Sequence, residues 1–176
     1  DHKSSRGLGD VYKRQNTIGN LLNRTSSMSR KWFDNKVPDN EKISNENKLE
    51  HLAKISIENY HEKFNKYKLD LAANEVLNLA INTNLYLNDN QPWSLIKEKD
   101  NLPIVKEIIY NVLESTRIIG LLLLPLLPEL SSKIDSQLGS LYKKEVPWDQ
   151  QLKWGLLISN SSLPKPSPVI NKLEYE

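Results

Sequence analysis

Asn20 and Arg24 are the two residues of this sequence whose types and spacing could do specific chemistry. If the stretch is helical, side chains four positions apart project from the same face. An amide beside a guanidinium suits the polar edge of an unpaired base, because together they donate and accept hydrogen bonds. A solvated helix face is the alternative, and it is the common explanation for an isolated Asn/Arg pair. The pair is therefore a candidate surface for reading an RNA base. The rest of the sequence must decide between this interpretation and a solvated helix face.

Recognisable catalytic and metal-binding motifs are absent from the sequence. It has no cysteine, and His51 and His61 lie ten residues apart, which is not a typical spacing for zinc ligands. Gly7 and Gly9 form a Gly-x-Gly without a preceding strand, so they do not predict a phosphate-binding loop. We predict no catalytic residue, no metal site and no cofactor of this chain's own.

Length and composition favour one cytoplasmic domain. A chain of 176 residues can bury a core. Its longest apolar run, residues 118–127, is far shorter than the roughly 20 residues that cross a membrane. No secretory signal is evident, and no disulfide can form. These features exclude membrane-spanning and disulfide-stapled classes of protein.

Residues 1–15 are expected not to be native protein. The run Asp10-Val-Tyr-Lys-Arg-Gln15 can be back-translated to a sequence that resembles the transposase end used to prepare DNA sequencing libraries. Residues 1–15 carry four basic and two acidic side chains, so the remainder has 20 of each. A neutral domain is not a general polyanion binder, because sequence-independent affinity for nucleic acid needs surplus cations. DNA binding is not expected, and RNA binding must be local, at a cluster of four cations: Arg24, Arg30, Lys31 and Lys36.

Residues 16–145 are predicted to form successive helices, because apolar residues recur three or four positions apart. Asn47 followed by Glu50 predicts a capping box that opens the second helix. Pro103 and Pro128 each suit the first turn of a helix. The predicted helices run over Asn16–Phe33, from the Asn47 cap through apolar positions as far as Tyr67, Leu69–Asn88, from Pro103 to Pro125, and Pro128–Leu138.

Residues 146–176 are predicted to form an extended tail that lies back over the bundle. Prolines between residues 164 and 168 disfavour helix there, and Trp148 and Trp154 are the expected packing anchors. Strands, if any, belong to the last thirty residues. The expected fold is all-α, an antiparallel bundle of about five helices with an extended C-terminal tail.

Three segments, taken in order, carry a family resemblance. They are Asn20-Leu-Leu-Asn-Arg24 on the first helix, Lys31-Trp-Phe-Asp-Asn-Lys-Val-Pro38 closing it, and Asn84-Leu-Tyr-Leu-Asn-Asp-Asn-Gln-Pro-Trp93 closing the third. The ordered set resembles the C-terminal anticodon-binding domain of the bacterial-type methionyl-tRNA synthetase family. The resemblance covers essentially all of residues 16–176.

The resemblance implies roles for individual residues. In the family, the Asn and Arg of the first segment and the Trp of the Pro-Trp pair hold the anticodon CAU, chiefly its first base. These residues correspond to Asn20, Arg24 and Trp93, and the implied partner is the anticodon loop of tRNA(Met). An indole face can stack on a base, although a tryptophan taken alone is more often a packing residue. Three neighbours are expected to support the site: Asn84, Tyr86 and Pro92.

The resemblance also implies a missing part. The family's catalytic domain, which binds ATP with Mg²⁺ and activates methionine, should precede this domain and is not in the sequence. The run Met28-Ser-Arg-Lys31 imitates part of a family signature, but it falls on the first helix and not in a mobile loop. The chain alone is therefore expected to be inactive, as one part of a methionine–tRNA ligase that is monomeric.

Two alternatives stay open from the sequence. One is the anticodon domain of another class I synthetase, for leucine, isoleucine, valine or cysteine, because these enzymes share the helical bundle. The combination of Asn20 and Arg24 with Pro92-Trp93 argues against it. The other is a non-catalytic helical interaction module without a tRNA role.

Overall fold

The computed structural model describes residues 2–39 and 47–165, with side chains from Asn16 onward. Within these ranges the chain is helical without strands, which confirms the predicted all-α fold. Residues 40–46 and the part of the predicted tail beyond residue 165 lie outside the described residues. No helix in this part of the chain is both long and apolar enough to cross a membrane. The helices are α1 (His2–Trp32), α2 (Lys48–Asn65), α3 (Leu69–Asn90), α4 (Pro92–Leu95), α5 (Leu102–Leu123), α6 (Pro128–Gln137) and α7 (Trp148–Gln151).

The bounds of α2, α3, α5 and α6 lie within about two residues of the predicted ones. The first helix begins at His2 and not at Asn16, and α7 lies in the tail that was predicted to be extended. Five of these helices have ten residues or more, whereas α4 and α7 are single turns of four residues. The backbone of α1 is helical from His2 and ends one residue before Phe33, the predicted end. The expectation that residues 1–15 are not native stays a prediction.

The central helix of the bundle is α5. Every side chain from Glu107 to Leu123 is buried, and α5 packs against α1, α2, α3 and α6. A helix that is apolar around most of its circumference is stable only when neighbours cover it on all sides. At Gly120 the side chain of Ile134 on α6 packs closely against α5, since an added Cβ would lie 2.9 Å from Ile134 Cγ2. The other long helices therefore take their places around α5.

The two ends of α2 follow from local chemistry. The Asn47 side chain accepts a hydrogen bond from the backbone N–H of Glu50 at 3.2 Å, which confirms the predicted cap. The prediction that Tyr67 is an apolar position of this helix is wrong. Its φ is 56° and its side chain is 90% exposed, because the chain has already left the helix and reversed toward α3.

A sharp turn joins α3 to α4. Gln91 adopts the left-handed conformation, with φ 43° and ψ 57°, and its N–H donates to Leu87 O at 3.2 Å. Pro92 is buried and occupies the first position of α4, where its missing N–H costs nothing. The turn predicted at the end of the third helix thus contains one short helical turn, and this turn fixes Trp93.

A buried ion pair on α5 holds residues 151–157 of the tail. Arg117 donates from Nε and Nη2 to the Glu114 carboxylate at 2.9 and 2.6 Å. It also donates to the backbone oxygens of Gln151 and Lys153 at 2.6 and 2.7 Å. The Glu114 carboxylate accepts from three backbone N–H groups at 2.7 to 3.1 Å, those of Gly155, Leu156 and Leu157.

The two predicted tail anchors are confirmed. Trp148 donates its indole N–H to Leu121 O at 3.0 Å, and both Trp148 and Trp154 pack against the core. Farther along, Ser161 O accepts from Val37 N at 2.9 Å. The tail therefore returns to the segment that follows α1.

Candidate nucleic-acid interface

Arg24 on α1 reaches across to α3. Its Nη2 donates to Asn88 Oδ1 at 2.9 Å, and its Nη1 donates to Asn84 Oδ1 at 3.5 Å. The two asparagines lie one turn apart on α3, so they present their amide oxygens on the same face. α1 packs against α3, and this packing brings together residues that are 60 and 64 positions apart in the sequence. The sequence predicted Asn84 as a supporting residue and missed Asn88, although its spacing of four from Asn84 on a helix was visible.

Trp93 lies beside the same guanidinium. The Arg24 Cζ is 5.8 Å from the centroid of the indole ring, within the range of a cation–π contact. The side chain of Trp93 is 38% exposed, so part of it remains open to solvent. The structure therefore places side by side two residues, Arg24 and Trp93, that the resemblance assigns to one site.

An open groove runs between α1 and α3 beside this arginine. Its volume is about 510 Å³, within the range of small-molecule sites in proteins. Asn20 is exposed on the α1 side of the groove, one turn before Arg24. The structure thus brings three of the predicted site residues together in one groove. The lining residues are Thr17, Asn20, Asn23, Arg24, Asn84 and Asn88.

Tyr86 is directed elsewhere. Its hydroxyl accepts a hydrogen bond from Asn111 Nδ2 at 3.4 Å, and Asn111 Oδ1 accepts from Asn47 Nδ2 at 2.9 Å. Burial raises the pKa of the Tyr86 phenol above its ordinary value of 10.0. Tyr86 therefore joins α3 to α5 and the start of α2. Pro92 is buried, so its structural contribution is to place Trp93.

The positive charge of Arg24 in the groove is not neutralised by a carboxylate of the described residues. Among the ion pairs formed by the described residues, none involves Arg24. Its two side-chain acceptors are neutral amides, which orient the guanidinium without cancelling its charge. In the same part of the chain, no group of three or more His, Cys, Asp or Glu side chains could hold a metal ion. The site can therefore supply hydrogen-bond donors, a positive charge and an aromatic face.

Comparisons with known proteins agree on one family. A family model described as the anticodon binding domain of methionyl tRNA ligase matches residues 37–176. The methionine–tRNA ligases of Thermosynechococcus vestitus and Nostoc sp. are 32% and 33% identical over 166 residues, each covering 90% of this chain and 31% of the relative. The apo crystal structure of Mycobacterium tuberculosis methionyl-tRNA synthetase matches with a TM-score of 0.79 at 25% identity, covering 92% of this chain and 32% of that one.

The chain spans about a third of the length of these relatives. The α3 and α4 side of the groove lies inside the matched region, whereas Asn20 and Arg24 precede residue 37. A match of this extent sets aside the two alternatives, another class I synthetase and a free-standing interaction module. The chain belongs to the family of anticodon-binding domains of methionyl-tRNA ligases.

Proposed function

We propose that the groove between α1 and α3 binds the anticodon loop of tRNA(Met). The observation that carries this proposal is the state of Arg24, which is held by two neutral amide oxygens and lies beside a half-open indole. Proteins that read RNA sequence do so mostly on unpaired bases, by stacking on aromatic rings and by hydrogen bonds to base edges. The groove offers both kinds of contact within a few ångströms of each other.

The first base of the anticodon CAU is the base that we assign to this groove. Cytosine presents two neighbouring acceptors on its pairing edge, and Arg24 supplies only donors. Asn20 can both donate and accept, so it suits the remaining polar atoms of the base. Stacking on Trp93 would contribute about 1–3 kcal/mol. Asn84 supports the site through its contact with Arg24, and Pro92 supports it by placing Trp93.

We assign the bond-making chemistry to the rest of the whole protein. That protein would be a cytoplasmic, monomeric methionine–tRNA ligase, and its catalytic domain would bind ATP with Mg²⁺ and join methionine to tRNA. The described residues of this chain contain no cluster suited to a metal ion, and no step of the reaction is assigned to them. This domain contributes specificity, because enzymes discriminate among substrates by differential binding.

The test uses the 176-residue chain and two RNA stem-loops that differ only in the first anticodon base, CAU and UAU. We expect tighter binding to CAU at low salt, and loss of that preference on Arg24→Ala. Arg30→Ala is the matched control, since Arg30 is an exposed arginine of the same helix outside the groove. It should weaken binding to both loops by a similar factor. Equal affinity of the unaltered chain for both loops would overturn the assignment.

A further inference from the structure

We propose that Asn88 is a positioning residue for Arg24, and that the neutrality of its amide is what leaves the guanidinium charge available to RNA. This inference rests on the proposed function of the groove. Asn88 was not among the residues that the sequence pointed to. Its role follows from the contact that the structure shows.

The geometry makes Asn88 the main acceptor for Arg24. The bond from Arg24 Nη2 to Asn88 Oδ1 is 2.9 Å long, whereas the contact from Nη1 to Asn84 is 3.5 Å, at the limit of a hydrogen bond. The indole of Trp93 at 5.8 Å restrains the same group from another direction. An arginine side chain in solution is flexible, so these contacts fix a guanidinium that would otherwise sample many rotamers.

The chemistry of the acceptor decides what the fixed arginine can do. In the buried pair of this protein, the Glu114 carboxylate binds Arg117 at 2.6 and 2.9 Å and compensates its charge. An amide oxygen accepts the same hydrogen bond but brings no negative charge. A carboxylate at residue 88 would form a charge-assisted bond about twice as strong, so Arg24 would be held more tightly and attract RNA less.

Positioning also affects the choice of base. Cytosine has an acceptor at N3, where uracil has a donor N–H. A guanidinium fixed in one place meets that donor unfavourably, whereas a mobile guanidinium can turn away to another acceptor. Removing the Asn88 side chain should therefore reduce discrimination between the two bases more than it reduces affinity for either one.

The experiment compares three variants of the 176-residue chain by fluorescence anisotropy with the CAU and UAU stem-loops. For Asn88→Asp we expect affinity for CAU to fall by about tenfold, the equivalent of one charged hydrogen bond. For Asn88→Ala we expect the ratio of CAU to UAU affinity to narrow by about threefold or more. Asn78→Asp is the matched control, because it adds the same charge to an exposed position of α3 about 15 Å away along the helix. At about 0.1 M salt, where the Debye length is about 10 Å, it should change affinity less than twofold, so all three variants are compared at that ionic strength.

The outcomes separate the two proposals. If the unaltered chain does not prefer CAU, the proposed function fails. The role of Asn88 is overturned, and the proposed function stands, if the unaltered chain prefers CAU but two results follow. These are that Asn88→Asp and Asn78→Asp bind CAU with equal affinity, and that Asn88→Ala keeps the full preference for CAU over UAU. Circular dichroism melting of each variant shows whether the fold is kept. A variant of residue 88 that keeps its melting temperature but loses affinity or preference supports positioning.

Discussion

Arg24 and Arg117 are held in opposite ways within one bundle. Arg117 is buried, bound by a carboxylate through two donors, and its other contacts are backbone oxygens of the tail. Arg24 is partly exposed, bound by two neutral amides, and has no ion-pair partner among the described residues. The first arginine has all of its charge compensated inside the protein. The second arginine, Arg24, carries a positive charge that remains available to a ligand.

The difference teaches how to separate a structural arginine from a binding one. When one partner of a buried ion pair is replaced, the other charge is left without water or a counter-charge. Such a substitution should lower the free energy of unfolding. A partly exposed arginine remains hydrated when its partners are removed. Replacing it should therefore lower the affinity for RNA and leave the free energy of unfolding nearly unchanged. Three changes test this separation and a fourth tests a pH-dependent contact of the tail; they are given from the largest expected effect to the smallest.

Glu114→Ala should destabilise the protein most, by about 3–5 kcal/mol of unfolding free energy. It leaves Arg117 buried without a counter-charge, and it removes the acceptor of three tail N–H groups. Urea unfolding followed by circular dichroism measures the effect. Glu62→Ala is the control, since Glu62 forms exposed pairs with Lys63 and Lys66 and its removal should leave the free energy of unfolding nearly unchanged. Equal losses for the two variants would contradict a structural role for the buried pair.

Trp93→Ala should cost about 1–3 kcal/mol of affinity for the CAU stem-loop, because it removes the stacking face. Trp93→Phe should lose less than Trp93→Ala, since a smaller ring still stacks. Titration of the labelled RNA with each variant gives the dissociation constants. A tryptophan that served packing alone would show the reverse pattern, with a lower melting temperature and unchanged affinity.

Arg24→Lys should lower affinity for CAU by about tenfold although the charge is kept. An ammonium group lacks the planar fork that donates to two amides while lying beside the indole. The free energy of unfolding should change by less than about 1 kcal/mol, as at other partly exposed sites. Paired measurements of affinity and urea unfolding on one preparation check both values. A stability loss as large as that of Glu114→Ala would remove the distinction between the two arginines.

Replacing Asp39 should give the smallest effect, a change in how the melting temperature depends on pH. Hydrogen bonds from Lys106 and then Asn160 hold the pKa of Asp39 below its ordinary value of 3.8. A carboxylate with a lowered folded pKa stabilises the folded state above its unfolded pKa, and this contribution is lost as pH falls through the folded value. Asp39→Asn should therefore flatten the fall of melting temperature below about pH 4. An exposed control, Asp100→Asn, tests whether any carboxylate change does the same.

Much of the fold was predictable because helix periodicity and caps are local signals. Asn47 and Pro128 marked helix starts, and the apolar spacing of α3 and α5 marked buried faces. Tyr67 was misjudged because its spacing continued the apolar pattern after the chain had turned. Spacing does not report where a helix ends when the terminating residue is neither Gly nor Pro.

The candidate site was predictable only in part. Asn20 and Arg24 stood out by their residue types and spacing, Trp93 entered through the resemblance, and the structure brings Arg24 and Trp93 together. Their roles in binding remain predictions. Asn88 was missed because its partner on α1 lies 64 positions away: the spacing of four from Asn84 puts both asparagines on one face of α3 but does not identify Arg24 as their partner. The Glu114 clamp on the tail was missed for the same reason, since its partners are backbone N–H groups that have no sequence signature.

The return of the tail to the end of α1 has a consequence for the order in which the molecule assembles. Arg24 and Asn88 close a loop of 64 residues, whereas Asp39 and Asn160 close one of 121. Closing the longer loop costs about 0.6 kcal/mol more in chain entropy. During synthesis on the ribosome, the groove can form once α5 has emerged. The hydrogen bonds between the segment that follows α1 and the tail can form only after residue 163 has emerged. The groove between α1 and α3 would thus form first in a nascent chain, and pulsed hydrogen exchange should protect α3 before it protects the Val37 amide.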